Sequence, residues 1–208
     1  MAGMKLPLIA EIAKNTYAIN EFGMSTVYLL TGTKRALLID TGTGVANLRE
    51  TVESLTDLPC DVALTHSHMD HIGNAMQFPE VYLSEKDQAF LWKSLDEAAA
   101  KLPEFRTNLT PSEQEALRLQ CLQTSCREYA DLIGTMGAYD IYDYRPSDIP
   151  LFDHFPVFLD LEEGMSFDLG GRLVQVISTP GHTPAEEVFW TVRAGFFFPA
   201  TPAIQIFC

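Results

Sequence analysis

Thr65-His66-Ser67-His68-Met69-Asp70-His71-Ile72-Gly73 is the stretch on which the reading of this chain turns. Three of the chain's five histidines fall within six residues, with an aspartate among them. At this composition a His-x-His-x-Asp-His string arises by chance in about one of several thousand chains of this length. His66 and His68 are two apart, so an extended segment points both imidazoles the same way. A turn into helix near Asp70 then sets Asp70 and His71 one step further round. Imidazole nitrogen and carboxylate oxygen are the ligands that Zn²⁺ and other borderline divalent ions favour. The stretch therefore reads as a metal site, and two neighbouring clusters of this kind suit two ions bridged by water or hydroxide.

Upstream, Thr16 to Asn20, Ser25 to Thr31 and Arg35 to Asp40 are β-rich runs separated by Gly23 and Gly32. Ala36-Leu37-Leu38-Ile39 is apolar throughout, as a strand covered on both faces would be. It stops at the glycine-rich turn Asp40-Thr41-Gly42-Thr43-Gly44. A helix is expected from about Val45 to Leu55, then strands at Asp61 to Thr65 and Val81 to Ser84. Strand, helix, strand in this order argues an α/β layer arrangement.

Downstream, the stretch 85–137 reads as helical. Leu91, Leu95, Ala98 and Leu102 recur at helical spacing, and a second helix begins at Thr110-Pro111-Ser112-Glu113, with Thr110 as N-cap and Glu113 closing a capping box. Leu119, Leu122, Cys126, Tyr129 and Ile133 form its apolar face, a core-packing face by its spacing. Residues 139–155 are aromatic, acidic and broken by proline, which marks a loop. Arg172 to Ser178, Glu187 to Val192 and Phe196 to Phe198 read as strands again. Between the first two lies Thr179-Pro180-Gly181-His182-Thr183-Pro184, which sets His182 at a strand end, where it can add a third imidazole to His66 and His68.

The residues quoted from LLIDTGTG at 37–44, THSHMDHIG at 65–73 and STPGHTPAEEV at 178–188 resemble, in kind and order, the metallo-β-lactamase superfamily of metal-dependent hydrolases. The resemblance covers most of the chain. It implies an α/β (α+β) fold, a four-layer αβ/βα sandwich with its metals at one edge between the sheets, here with a helical insertion at about 85–137. It gives His66, His68 and His182 to a first metal, and Asp70 and His71 to a second. Asp40 matches the family's carboxylate that orients metal ligands. Two features of the family are missing. Thr201 stands where the family has a metal-bridging aspartate, and its last metal histidine has no counterpart, His154 reading as a loop residue. The second half of the fold is thus expected to be incomplete, with apolar sheet exposed and association into homo-oligomers favoured.

The expected function is that of a metal-dependent hydrolase, with one or two zinc ions per chain and iron or manganese as other candidates. A metal-bound water would attack an ester, thioester, amide or phosphoester of a small molecule. Asp70 is the catalytic candidate that orients that water or takes its proton. Tyr139, Tyr142, Tyr144 and Arg145 are candidates for substrate contact, with packing as the equal alternative. The alternative is a catalytically impaired or non-enzymatic member that keeps a metal for structure or has none. An iron oxidoreductase on the same scaffold ranks lowest, because it too needs the missing aspartate.

Composition limits the partners. The 208 residues suit a single domain, and 14 Lys+Arg against 28 Asp+Glu give a net charge of −14. So acidic a surface disfavours nucleic acid and anionic membranes, and with them a nuclease role. No run approaches the roughly 20 apolar residues that span a bilayer. The N-terminal stretch lacks the pattern of a secretory signal, and four cysteines suit free thiols in a reducing compartment, so a cytoplasmic location is expected.

Overall fold

A computed structural model describes residues 7–135, 152–183, 186–192 and 197–198. Four antiparallel strands open the chain as a meander: β1 (Leu8–Ala13), β2 (Thr16–Glu21), β3 (Ser25–Thr31) and β4 (Ala36–Ile39). The sheet then continues in parallel through β5 (Cys60–Ala63), β6 (Glu80–Leu83) and β7 (Val157–Asp160). Each parallel step needs a crossover, and helices supply it. Helix α1 (Leu48–Leu55) joins β4 to β5, the short α2 (Met69–Ile72) lies between β5 and β6, and α3 (Glu85–Ala99) with α4 (Pro111–Thr135) lies between β6 and β7. A second, antiparallel sheet has the order β11-β10-β9-β8, from β8 (Ser166–Asp168), β9 (Leu173–Ser178), β10 (Glu187–Thr191) and β11 (Phe197–Phe198).

Alternation along the central strands sorts side chains between two cores. Val27, Leu29, Ala36 and Leu38 face α1, α3 and α4, whereas Tyr28, Leu30, Leu37 and Ile39 face Phe167, Val174, Val176, Phe189 and Phe198 of the second sheet. Ala36 to Ile39 is buried on both faces for this reason. The layers are thus helices, sheet and sheet. A further helical layer on the outer face of the second sheet is not seen among the described residues, where Leu173 stays 43% exposed.

The expected helix from Val45 begins three residues later. Asn47 caps it, its side chain accepting from the Glu50 N–H at 3.2 Å, and Val45 instead packs with Cys126, Ala130 and Ile133 under α4. The capping box at α4 is formed as the sequence indicates: Thr110 Oγ1 accepts from the Glu113 N–H, and Glu113 accepts from the Thr110 N–H at 2.8 Å. The buried face of α4 runs through Leu119, Leu122, Cys126, Ala130 and Ile133, with Tyr129 half-buried against it. Asp96 and Arg118 lock α3 to α4 with two bonds of 2.7 Å, and the guanidinium lies 5.0 Å over the Trp92 ring. Cys60, Cys121 and Cys126 are free thiols. Among the described residues no helix is long and apolar enough to cross a membrane.

Candidate metal centre

The carboxyl ends of β4 and β5 meet at one edge of the molecule, the position at which parallel sheets collect ligands. Strand β4 runs out at Ile39, and Asp40 follows with φ +64°, a left-handed conformation that Asp adopts more readily than most residues. Its carboxylate, 1% exposed, accepts the Thr65 N–H at 2.8 Å, the Thr65 hydroxyl at 2.9 Å and His71 Nδ1–H at 2.9 Å. One turn residue after a buried strand thereby holds both ends of the histidine segment.

The Thr65 hydroxyl gives its proton to Asp40, so it accepts from His66 Nδ1 at 3.0 Å. That fixes the His66 tautomer and leaves the Nε2 lone pair free. Nε2 lies 3.1 Å from His68 Nδ1, which in turn lies 2.9 Å from His182 Nε2. His182 arrives from the second sheet, whose approach is anchored by the Glu187 N–H donating to the Thr65 carbonyl at 2.8 Å. The three ring nitrogens lie within 4.8 Å of one another. A tetrahedral zinc ion with bonds of about 2.0–2.1 Å separates its ligands by roughly 3.3 Å, so the spacing and the donor type fit one such ion.

His71 stands beside this trio, its ring centroid 4.2 Å from that of His66. Its Nδ1 is committed to Asp40, and its Nε2 lies 3.4 Å from Asp70 Oδ2. The Asp70 and His71 side chains thus form a pair next to the trio, with Asp70 about one third exposed. Electrostatics separates the two groups. Burial, helped by the neighbouring His71, pushes the wholly covered His66 imidazole down to about 3, leaving it neutral and ready as a ligand. Burial also acts against charge on His71, but Asp40 and Asp70 outweigh it and push that imidazole up to about 10. A cation held at His71 Nε2 must therefore displace a proton. Burial raises the Asp70 carboxyl, but the bond to His71 more than offsets it and holds the group below the usual carboxylate range.

The turn 41–44 is stitched to this edge. Thr41 N–H and Oγ1 donate to the His71 carbonyl at 2.7 and 2.8 Å, and Gly73 N–H donates to the Gly42 carbonyl at 2.7 Å. Beneath it Glu21, 2% exposed, accepts from Thr43 N–H, Thr43 Oγ1 at 2.6 Å, Ala46 N–H at 3.3 Å and Asn74 Nδ2 at 2.9 Å. Burial still raises its carboxyl above the ordinary value. Sequence reading missed Glu21, which ends an ordinary alternating strand and carries no local signal.

It also missed Asp87, which is fully buried and accepts the hydroxyls of Ser67 at 3.1 Å, Thr183 at 3.2 Å and Ser84 at 3.4 Å. His154 lies apart from the centre, 66% exposed and paired with Asp153 at 2.5 Å. Thr201, Tyr139, Tyr142, Tyr144 and Arg145 lie outside the described residues.

With this geometry in place, comparison with known proteins is informative. The family model described as the metallo-beta-lactamase superfamily matches residues 20–82. The acyl-coenzyme A thioesterase MBLAC2 of Homo sapiens is 24% identical over 171 residues, covering 76% of this chain and 51% of that protein. The hydroxyacylglutathione hydrolase GloC of Haemophilus influenzae is 39% identical over 74 residues, covering 33% of this chain and 34% of that one. The chain therefore spans about half the length of one curated relative, and the match takes in about a third of the other. Among solved structures, a metallo-beta-lactamase of Cronobacter sakazakii with the HARLDQ motif superposes with a TM-score of 0.54 at 17% identity, over 98% of this chain and 68% of that one. That likeness concerns the fold, and the family match takes in the segment that carries His66, His68 and His71. Residues 20–82 thus match the metallo-beta-lactamase superfamily, and the described chain has the fold of a solved metallo-beta-lactamase.

Proposed function

We propose that this chain carries a metal-dependent hydrolase activity directed at a thioester of a small molecule. The observation behind the reading is the convergence of His66 Nε2, His68 Nδ1 and His182 Nε2, with 3.1 and 2.9 Å between successive atoms. These atoms would hold the first ion, which the donor set suggests is zinc, while Asp70 and His71 would contribute to a second beside it. A bound ion supplies Lewis acidity, bringing the pKa of a coordinated water towards neutrality and polarising the substrate carbonyl.

The chain's own groups do the rest. Thr65 and Asp40 keep the His66 Nε2 lone pair turned inward, and Asp40 keeps the His71 ring in place. Asp70, about one third exposed at the mouth, is the group that orients the attacking water or accepts its proton. A thioester is preferred within the wider group of esters, amides and phosphoesters because two relatives are named for removing an acyl group from a thiol carrier. The net charge of −14 weighs against nucleic acid and anionic membranes as partners.

The test is metal per chain in protein purified without added metal or chelator, together with thiol release from S-acylglutathione and short acyl-coenzyme A thioesters. Support would be about one zinc or more per chain, with turnover abolished in His68→Ala and lowered by on the order of 100-fold or more in Asp70→Asn. Bound zinc without turnover of any thioester would overturn the thioester reading, and inertness towards generic esters as well would favour the catalytically impaired alternative. Absence of metal would overturn the reading.

A further inference from the structure

Two loops bring the histidine trio together, and they come from different sheets. His66 and His68 follow β5, while His182 lies between β9 and β10. Closing the 2.9 Å approach of His68 to His182 therefore requires something that holds both loops at once. A single side chain bonds to both. Asp87 Oδ1 accepts from Ser67 Oγ at 3.1 Å, the residue between His66 and His68, and Oδ2 accepts from Thr183 Oγ1 at 3.2 Å, the residue after His182.

Asp87 is 0% exposed and makes no ion pair among the described residues. A buried carboxylate in that state is costly unless its charge is met. Part of the compensation is local. Asp87 sits in the first turn of α3, where the helix dipole favours negative charge, and the capping Ser84 hydroxyl adds a third donor at 3.4 Å. The Ser67 and Thr183 hydroxyls supply the remaining donors.

We infer that Asp87 is the positioning residue of the metal centre, fastening the His182 loop to the His66–His68 segment through Ser67 and Thr183. It touches neither metal nor substrate; it acts by fixing where the third imidazole stands. This rests on the proposed metal centre. The inference predicts that cutting either hydroxyl link lowers metal affinity more than it lowers the stability of the metal-free fold.

The experiment titrates metal-free protein with cobalt(II) and with zinc, reading the visible cobalt bands and the dissociation constant, and records the melting temperature of each metal-free variant. Thr183→Val keeps the shape and removes the hydroxyl; Ser67→Ala removes the other link; Asp87→Ala removes the shared acceptor. Each is expected to weaken metal binding by about 10- to 100-fold, the range for groups that orient ligands. Asp87→Ala combined with Thr183→Val is expected to be no weaker than Asp87→Ala alone, because both cut one link. Should Asp87→Ala fail to fold, Thr183→Val and Ser67→Ala decide the matter.

Unchanged affinity and cobalt bands in those two variants, with or without a lower melting temperature, would overturn the positioning role and leave the metal centre standing. Failure of the unaltered protein to bind either metal would overturn the metal centre itself, and the role of Asp87 with it.

Discussion

A β-carbon on Gly73 would stand 2.1 Å from the carbonyl carbon of Thr43 and 2.2 Å from the nitrogen of Gly44. The obstructing atoms are all backbone, and they belong to the turn that leaves β4. Gly73 therefore lets the end of α2 lie against that turn, with its N–H on the Gly42 carbonyl at 2.7 Å. No flexible side chain is available to move aside, so Gly73→Ala must separate two segments that between them carry Asp40 and His71. The expected loss is about 3 kcal/mol, at or above the upper end for overpacking a tight site. A urea unfolding midpoint equal to that of the parent would show that the turn yields without cost.

Asp40→Asn isolates the contribution of one carboxylate oxygen. Asn tolerates the φ of +64° at this position, so the turn survives the exchange. The amide has a single acceptor oxygen, where the carboxylate serves the Thr65 N–H, the Thr65 hydroxyl and His71 Nδ1. One of the two histidine-directed links is lost, either the one to His71 or the one that sets the His66 tautomer through Thr65. Zinc affinity, measured against a competing chromophoric chelator, is expected to fall about 10- to 100-fold with the fold retained. Parent-like affinity would mean that neither imidazole depends on this carboxylate for its orientation.

What the sequence reveals of this fold follows from burial. Ala36 to Ile39 is covered on both faces and reads as an unbroken apolar run; β3 and β9 are covered on one or both faces and read as clear strands. The strands that escaped notice are β1, β7 and β8, and each is an edge strand of its sheet. Leu8 and Val157 are 61% and 59% exposed, so no alternation between a wet and a dry face marks β1 and β7, and β8 is so short that Phe167 is its one buried residue. The site divides in the same way. Histidines at metal-ligand spacing are a local pattern that names His66, His68, Asp70 and His71 as candidates, and the Pro/Gly loop after β9 adds His182; the folded chain brings these side chains to one edge. Asp87 has a local pattern too, but that pattern, Ser84-x-x-Asp87, says helix cap and is silent about Ser67 and Thr183. Glu21 meets Asn74 across 53 residues, a link that only the folded chain makes.

Glu21→Gln tests whether that buried carboxylate holds the turn to the segment after α2. Both of its oxygens face donors, since Oε2 accepts from Thr43 and Oε1 from Ala46 and Asn74. An amide at the same place turns an NH₂ group towards at least one of these donors and leaves it unsatisfied. The expected loss is about 1–3 kcal/mol in chemical unfolding, the usual cost of stranding a buried polar group. A stability equal to that of the parent would mean that the donors find other acceptors.

Glu187 gives a pH dependence whose sign can be worked out. Its side chain is 2% exposed; Oε1 accepts from the Ser178 hydroxyl at 2.8 Å, and Oε2 has no hydrogen-bond partner. Burial raises this carboxyl above its ordinary value. The Ser178 bond and Lys86 work against the rise, and Glu163 and Asp87 add to it. The folded state therefore holds a proton that the unfolded state gives up at lower pH. Its contribution to stability is fully present below the unfolded value near 4.5 and is lost as pH climbs through the raised folded value. Gln at this position cannot ionise and escapes that loss, while every other titrating group is common to both proteins. The melting temperature of Glu187→Gln minus that of the parent should thus increase between about pH 4 and pH 8. A difference that stays flat across this range, or that shrinks, would mean that the Glu187 carboxylate is solvated or paired in the folded protein.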